Sequence, residues 1–85
     1  MYYLYFLKSI ATGRYYVGIT NDTNERLAQH NSGMVRSTKR YAPYRLVRVE
    51  RYATKKEARQ KEISLKKSGH IDRYLKNFTA LSSNG

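Results

Sequence analysis

The stretch YYLYFLKSIATGRYYVGIT, residues 2–20, decides the reading of the fold. Two runs rich in Tyr, Val, Ile and Phe, residues 2–8 and 14–20, flank the dipeptide Thr12-Gly13, and such runs on either side of a short turn read as a β-hairpin. Side chains alternate across a strand. Leu4 and Phe6 therefore share a face with Val17 and Ile19, which reads as core. Tyr3, Tyr5, Tyr16, Gly18 and Thr20 share the other face, which reads as a site.

Working outward, NDTNERLAQHNSG supplies Asn21, Asp22 or Thr23 as the cap of a helix that runs to about Asn31 and stops at Gly33. Arg26 and His30 stand four apart and share one face of it. MVRSTKRYAPY, residues 34–44, has no clear period and contains the only proline, so it reads as an exposed loop. Its interleaved cations and aromatics, with Arg36, Lys39 and Arg40 foremost beside Tyr41 and Tyr44, suit contacts to phosphates and unstacked bases. YRLVRVERY alternates and predicts a third strand.

A second helix follows. Thr54 and Glu57 form the capping-box pattern, and Ala58, Glu62 and Leu65 fall at i, i+4 and i+7, which puts Glu62 on the inward stripe. A carboxylate there needs a counter-charge, a hydrogen-bond network or a metal. IDRYLKNF predicts a short last helix, with Ile71, Leu75 and Phe78 at helical spacing. The expected organisation is one small α+β domain over residues 1–80, with 81–85 as a disordered tail.

Seventeen Lys and Arg against six Asp and Glu leave a formal charge of +11 on 85 residues, which favours a polyanion and, above all, nucleic acid. The cations are spread from Arg14 to Lys76, as a surface that tracks a phosphate backbone requires. A membrane-surface role would want one basic amphipathic helix with large apolar residues opposite, and none is visible. No apolar run approaches the roughly 20 residues of a membrane span. The start of the chain lacks the features of a secretory signal. Absence of cysteine removes disulfides and thiolate zinc sites, so the expected location is cytoplasmic.

Tyr5, Tyr16, Gly18, Arg26, His30 and Glu62 together offer what phosphodiester hydrolysis demands: a base for water, a cation for the phosphate and a carboxylate for a metal. In order and spacing, LYFL, YYVGIT, ERLAQHN and EARQKE resemble the GIY-YIG nuclease domain. The chain is similar in particular to the small stand-alone members and to the amino-terminal incision domain of the bacterial excinuclease. The likeness covers about residues 2–78.

The resemblance implies a three-stranded antiparallel sheet flanked by helices, and a metal-dependent DNA endonuclease acting in repair or recombination. It makes Tyr5 the tyrosine of the first motif, with Tyr3 and Leu4 standing where Gly and Ile give the family its name. Tyr16, Val17 and Gly18 match the second motif, Arg26 the phosphate-contacting arginine, and Glu62 the ligand of one Mg2+ or Mn2+ ion. His30 falls where members carry His or Tyr, and Asn77 corresponds to a late asparagine of some members.

The implied mechanism uses a Tyr5 phenolate, assisted by Tyr16 or His30, to activate water; a free phenol titrates near pH 10, so this asks for a lowered pKa. The chain has no room for a separate DNA-binding domain, which leaves substrate choice to a protein partner or a homodimer. RNA remains an alternative substrate, and a nucleic-acid-binding module with little intrinsic cleavage is the alternative function.

Overall fold

Gly13, at φ +77°, closes the turn that joins β1 (Tyr2–Ser9) to β2 (Tyr15–Thr20), a backbone conformation that glycine adopts without steric cost. The buried Ser9 hydroxyl steadies this turn by accepting the Thr12 backbone N–H at 3.2 Å. The computed structural model of the chain describes residues 1–36 and 38–76. Within them β3 (Tyr44–Tyr52) pairs with the far side of β1, giving a three-stranded antiparallel sheet in the order β2-β1-β3. Both strands and the predicted third strand thus form, with ends shifted by a residue.

Helix α1 (Thr23–Asn31) starts where Asp22 accepts the Glu25 N–H at 3.0 Å, and Gly33 follows its end at φ +80°. Helix α2 (Lys55–Ser68) starts at Thr54, whose hydroxyl accepts the Glu57 N–H at 3.2 Å. The capping box closes differently from its usual form: the Glu57 carboxylate takes the Thr54 hydroxyl hydrogen, at 3.1 Å. Gly69, left-handed at φ +70°, ends the helix. Residues 71–76 form a third helical segment, α3. Phe78, Asn77, the domain end at 80 and the tail 81–85 lie outside the described residues.

Both faces of the sheet are covered. Leu4, Phe6 and Val17 pack with Leu65 of α2 and with Ile71, Tyr74 and Leu75 of α3. On the opposite face Tyr5, Leu7 and Tyr44 pack with Tyr16, Leu27 of α1, Tyr41 and Leu46. The tyrosine face, read from the sequence as a site, is packed as a second core, and Tyr5 is only 2% exposed.

A bulge in β3 completes that second core. Phe6 pairs with Arg48 but Leu7 pairs with Leu46, so Val47 is the extra residue. Strict alternation would send Leu46 and Tyr44 to the face of Glu50 and Tyr52; the bulge turns them to the face of Tyr5 instead. Tyr44 is 4% exposed as a result, and its expected role in an exposed aromatic loop is corrected to a core role. The stretch before it is ordered in part as a single 3-10 turn, Lys39–Tyr41.

Candidate functional site

Tyr5 and Gly18 are direct partners across the hairpin, so they point to the same face. The tyrosine ring lies over the glycine: a Cβ at position 18 would stand 2.4 Å from Tyr5 Oη and 2.6 Å from its Cζ. Without a side chain at 18 the phenol reaches α1, where Arg26 and His30 meet it one helical turn apart. Arg26 Nε donates to Tyr5 Oη at 3.3 Å, and His30 Nε2 lies 3.0 Å from the same oxygen. The His30 ring is fully buried, between Tyr16 (centroids 4.9 Å apart), Tyr5 (5.7 Å) and Tyr44 (6.0 Å). Tyr16 and Tyr5 themselves are 6.2 Å apart, on one face, as the hairpin pattern predicts.

Burial governs the protonation of this cluster. It raises the Tyr5 phenol from 10.0 to about 12, with the Arg26 hydrogen bond pulling the other way but losing. The phenolate role read from the sequence asks for a lowered Tyr5 phenol, whereas here it is raised: one guanidinium does not offset the loss of water around a ring held in a core. Burial and then the Arg26 charge lower His30 from 6.5 to about 4, so the imidazole is neutral at pH 7. A neutral imidazole has one nitrogen able to accept a proton.

Arg26 gives a second hydrogen bond, from Nη1 to Gln29 Oε1 at 2.9 Å. Together with Thr20, Asp22, Glu25 and Lys55 these two residues line an open cleft beside the N-terminus of α1. Arg26 is therefore the member of the cluster that connects the buried phenol to a solvent-accessible cleft.

Glu62 approaches from the other layer. The inward stripe of α2 is Ala58, Glu62 and Leu65, as the spacing predicts, and the carboxylate residue is 5% exposed. Its oxygens are held by Arg59 Nη1 at 3.0 Å and Lys66 Nζ at 3.2 Å. Lys66 also stands 5.5 Å from the centroid of the Tyr16 ring, so this one lysine touches both halves of the site. Tyr5, Tyr16, Gly18, Arg26 and His30 are thus brought together directly, and Glu62 joins them through Lys66.

The donor set bears on the implied metal. Among the described residues no three His, Cys, Asp or Glu gather as a metal cage. One near-buried carboxylate does fit the way Mg2+ is often held, by one or two carboxylates with waters and substrate phosphates completing the shell. Both cations on Glu62 are long side chains at least half exposed, 61% for Arg59 and 50% for Lys66, and can swing away from an arriving ion.

Arg36, Lys39 and Arg40, expected to contact nucleic acid, are exposed, the last two on the 3-10 turn. Three contributors escaped the sequence reading: Tyr44, Lys66 and Thr38. Thr38 is 2% exposed and places Oγ1 2.6 Å from His30 Nδ1. For Lys66 a signal existed, since it lies four residues after Glu62 on one helix face. Thr38 sits in the aperiodic stretch, where no pattern marks it.

Comparison with known proteins agrees with this geometry. Residues 1–74 match the model of the GIY-YIG catalytic domain. A "UPF0213 protein" of Bacillus pumilus is 44% identical over 66 residues, which are 76% of this chain and 66% of that protein. A "UPF0213 protein" of Streptococcus pneumoniae is 39% identical with the same two shares, so the chain spans just under two thirds of these relatives. The solution NMR structure of a UPF0213 protein from Bacillus halodurans superposes with a TM-score of 0.53 at 30% identity, covering 95% of this chain and 85% of that one. Among the described residues no helix is long and apolar enough to cross a membrane. Because the matched segment runs from β1 into α3 and takes in every element that builds the Tyr5 face, the chain belongs to the GIY-YIG catalytic domain family, a family of nucleases.

Proposed function

We propose that this chain is a divalent-metal-dependent endonuclease that hydrolyses phosphodiester bonds in DNA, with repair or recombination as its setting. The observation that carries the reading is the hydrogen-bonded row Arg26, Tyr5, His30, which joins a cation, a phenol and a neutral base.

In this reading Arg26 turns its guanidinium on the scissile phosphate, where it offsets the charge that grows as water attacks. The attacking water gives its proton to Tyr5 Oη while Tyr5 passes its own to His30 Nε2. No free phenolate forms, so a phenol held near pKa 12 is no obstacle. His30 ends the step protonated, and the site is reset when that proton leaves to solvent or to the departing oxygen. Tyr16, half-buried between Tyr5 and Lys66, forms the wall past which the phosphate enters. Glu62 would hold Mg2+ or Mn2+, and such an ion, when bound, supplies positive charge to the leaving oxygen. The cytoplasm, where both ions and DNA are at hand, is the proposed location.

One observation favours a second reading, a nucleic-acid-binding module that cleaves little by itself. Tyr5 is covered and Glu62 is neutralised by Arg59 and Lys66, so this conformation is a closed one. A protein partner or a second copy that draws those cations away would then license cleavage and supply substrate choice. The test is a panel of labelled single-stranded, duplex, flap and forked DNA, with an RNA counterpart, incubated with Mg2+ or Mn2+. Cleavage by the wild type and none by Glu62→Ala, with binding retained by both, supports the nuclease. Salt-dependent binding without cleavage by either protein moves the assignment to the module.

A further inference from the structure

Thr38 stands at the N-cap of the 3-10 turn Lys39–Tyr41, yet its hydroxyl makes no hydrogen bond to that turn. A threonine at such a position ordinarily gives its oxygen to the free backbone N–H groups of the helix it precedes. Here the oxygen is directed into the core instead, 2.6 Å from His30 Nδ1. Backbone contacts hold it there: Thr38 N donates to Val35 O at 3.1 Å, and Thr38 O accepts from Tyr44 Oη at 3.2 Å and from Tyr41 N at 3.1 Å.

The Thr38 hydroxyl sets the direction of the hydrogens along this row. Tyr5 Oη meets Arg26 Nε at 3.3 Å and His30 Nε2 at 3.0 Å, and the Tyr16 hydroxyl also interacts with it. A guanidinium nitrogen only donates, so the phenol hydrogen is left for Nε2 or for the Tyr16 hydroxyl, and the far side of the imidazole decides which. With the Thr38 hydroxyl hydrogen given to Val35 O, 3.3 Å away, Oγ1 is left to accept, so the neutral imidazole carries its hydrogen on Nδ1 and presents Nε2 to Tyr5 as an acceptor. Every group in the row has a partner, in keeping with the lack of unsatisfied buried side-chain atoms among the described residues.

We infer that Thr38 is the positioning residue that holds His30 in its Nδ1–H tautomer, so that Nε2 faces Tyr5 as the proton acceptor. Thr38 touches neither substrate nor reacting atoms; it acts through the imidazole. With the tautomer reversed, Nε2–H would point at Tyr5 Oη, and the phenol could not pass a proton on. The inference rests on the proposed hydrolysis for its purpose, but the tautomer itself is a property of the free protein.

The test reads the two separately. Long-range 1H–15N NMR of the folded, 15N-labelled protein shows which imidazole nitrogen carries hydrogen, with the exposed His70 as internal comparison. The wild type is expected to show His30 protonated on Nδ1 with an unprotonated Nε2. Thr38→Val, close in shape but without the hydroxyl, is expected to lose that tautomer preference, and Thr38→Ser to restore it. On a cleavable DNA, Thr38→Val should lower kcat about 10-fold or more with KM changed less than about 2-fold, and Thr38→Ser should recover most of the rate.

A wild-type His30 carrying its hydrogen on Nε2 overturns the inference, whatever the activity, and needs no variant to fold. So does a Thr38→Val protein whose His30 stays in the wild-type tautomer. If the wild type cleaves nothing yet its tautomer follows position 38 as described, the proposed hydrolysis fails and the positioning role of Thr38 stands.

Discussion

Replacing Gly18 by alanine tests the construction of the site with one methyl group. Gly18 has no positive φ, so the backbone accepts alanine without strain and the whole effect comes from the collision with Tyr5. The new Cβ would lie 2.4 Å from Oη, 2.6 Å from Cζ and 2.9 Å from Cε1, whereas such atoms rest at about 3.5–4.0 Å. The ring must withdraw by about 1 Å, into a core already filled by Leu7, Tyr44 and Leu27. The same movement pulls Oη away from His30 Nε2 and Arg26 Nε, now at 3.0 and 3.3 Å. Overpacking costs about 1–3 kcal/mol, and two weakened hydrogen bonds about 1 kcal/mol each, for a loss of about 3–5 kcal/mol. In a domain of this size that lowers the melting temperature by about 10 °C or more. Circular-dichroism melts and urea titrations of Gly18→Ala measure it, and Tyr5→Leu supplies the control, since the methyl group has no ring to meet there. The added cost of Gly18→Ala in that background should fall below about 0.5 kcal/mol. An alanine variant as stable as the wild type, or an equal loss in both backgrounds, would refute the reasoning.

Acid should weaken the fold through His30. Its pKa is lowered from 6.5 to about 4, so its neutral state is favoured by folding; the stabilisation is full above pH 6.5 and is lost as pH falls towards 4, about 3 kcal/mol in all. Urea midpoints across that range should show the slope, and His30→Gln should flatten it. At the alkaline end the Tyr5 phenol, raised to about 12, should keep its full contribution below pH 10 and lose it between 10 and 12, read as a stability decline that Tyr5→Phe lessens, the raised Tyr44, Tyr52 and Tyr74 supplying the rest. On the other face, Tyr74 Oη donates to Glu50, which also accepts from Arg48 and Tyr52 at 2.9 Å each. Tyr74→Phe removes one of these bonds to a largely buried carboxylate and should cost about 1–3 kcal/mol in a urea melt, with DNA cleavage per folded molecule unchanged.

Much of this arrangement is legible in the sequence, and what is not has identifiable causes. The hairpin, its face assignments and the inward position of Glu62 follow from periods of 2 and 3.6, which sequence displays directly. Burial of the tyrosine face does not, because tyrosine serves exposed strands and cores equally well, and only the docking of α1 decides between them. The position of Tyr44 depends on a bulge at Val47, and a β-branched residue inside an alternating run gives no sign of one. Thr38 reads only as part of a loop: its role lies in where the chain between α1 and β3 returns, a tertiary fact. The raised Tyr5 pKa follows from these, since the cations around it were visible and its burial was not.

The most direct test of the account is single-turnover cleavage of saturating labelled DNA in Mg2+ or Mn2+ by the wild type and Tyr5→Phe, with binding of each measured alongside. The account predicts that the wild type cuts and that Tyr5→Phe binds DNA as tightly but cuts about 100-fold more slowly or worse, because the phenol carries the proton between water and His30. Cleavage by folded Tyr5→Phe at the wild-type rate would contradict it.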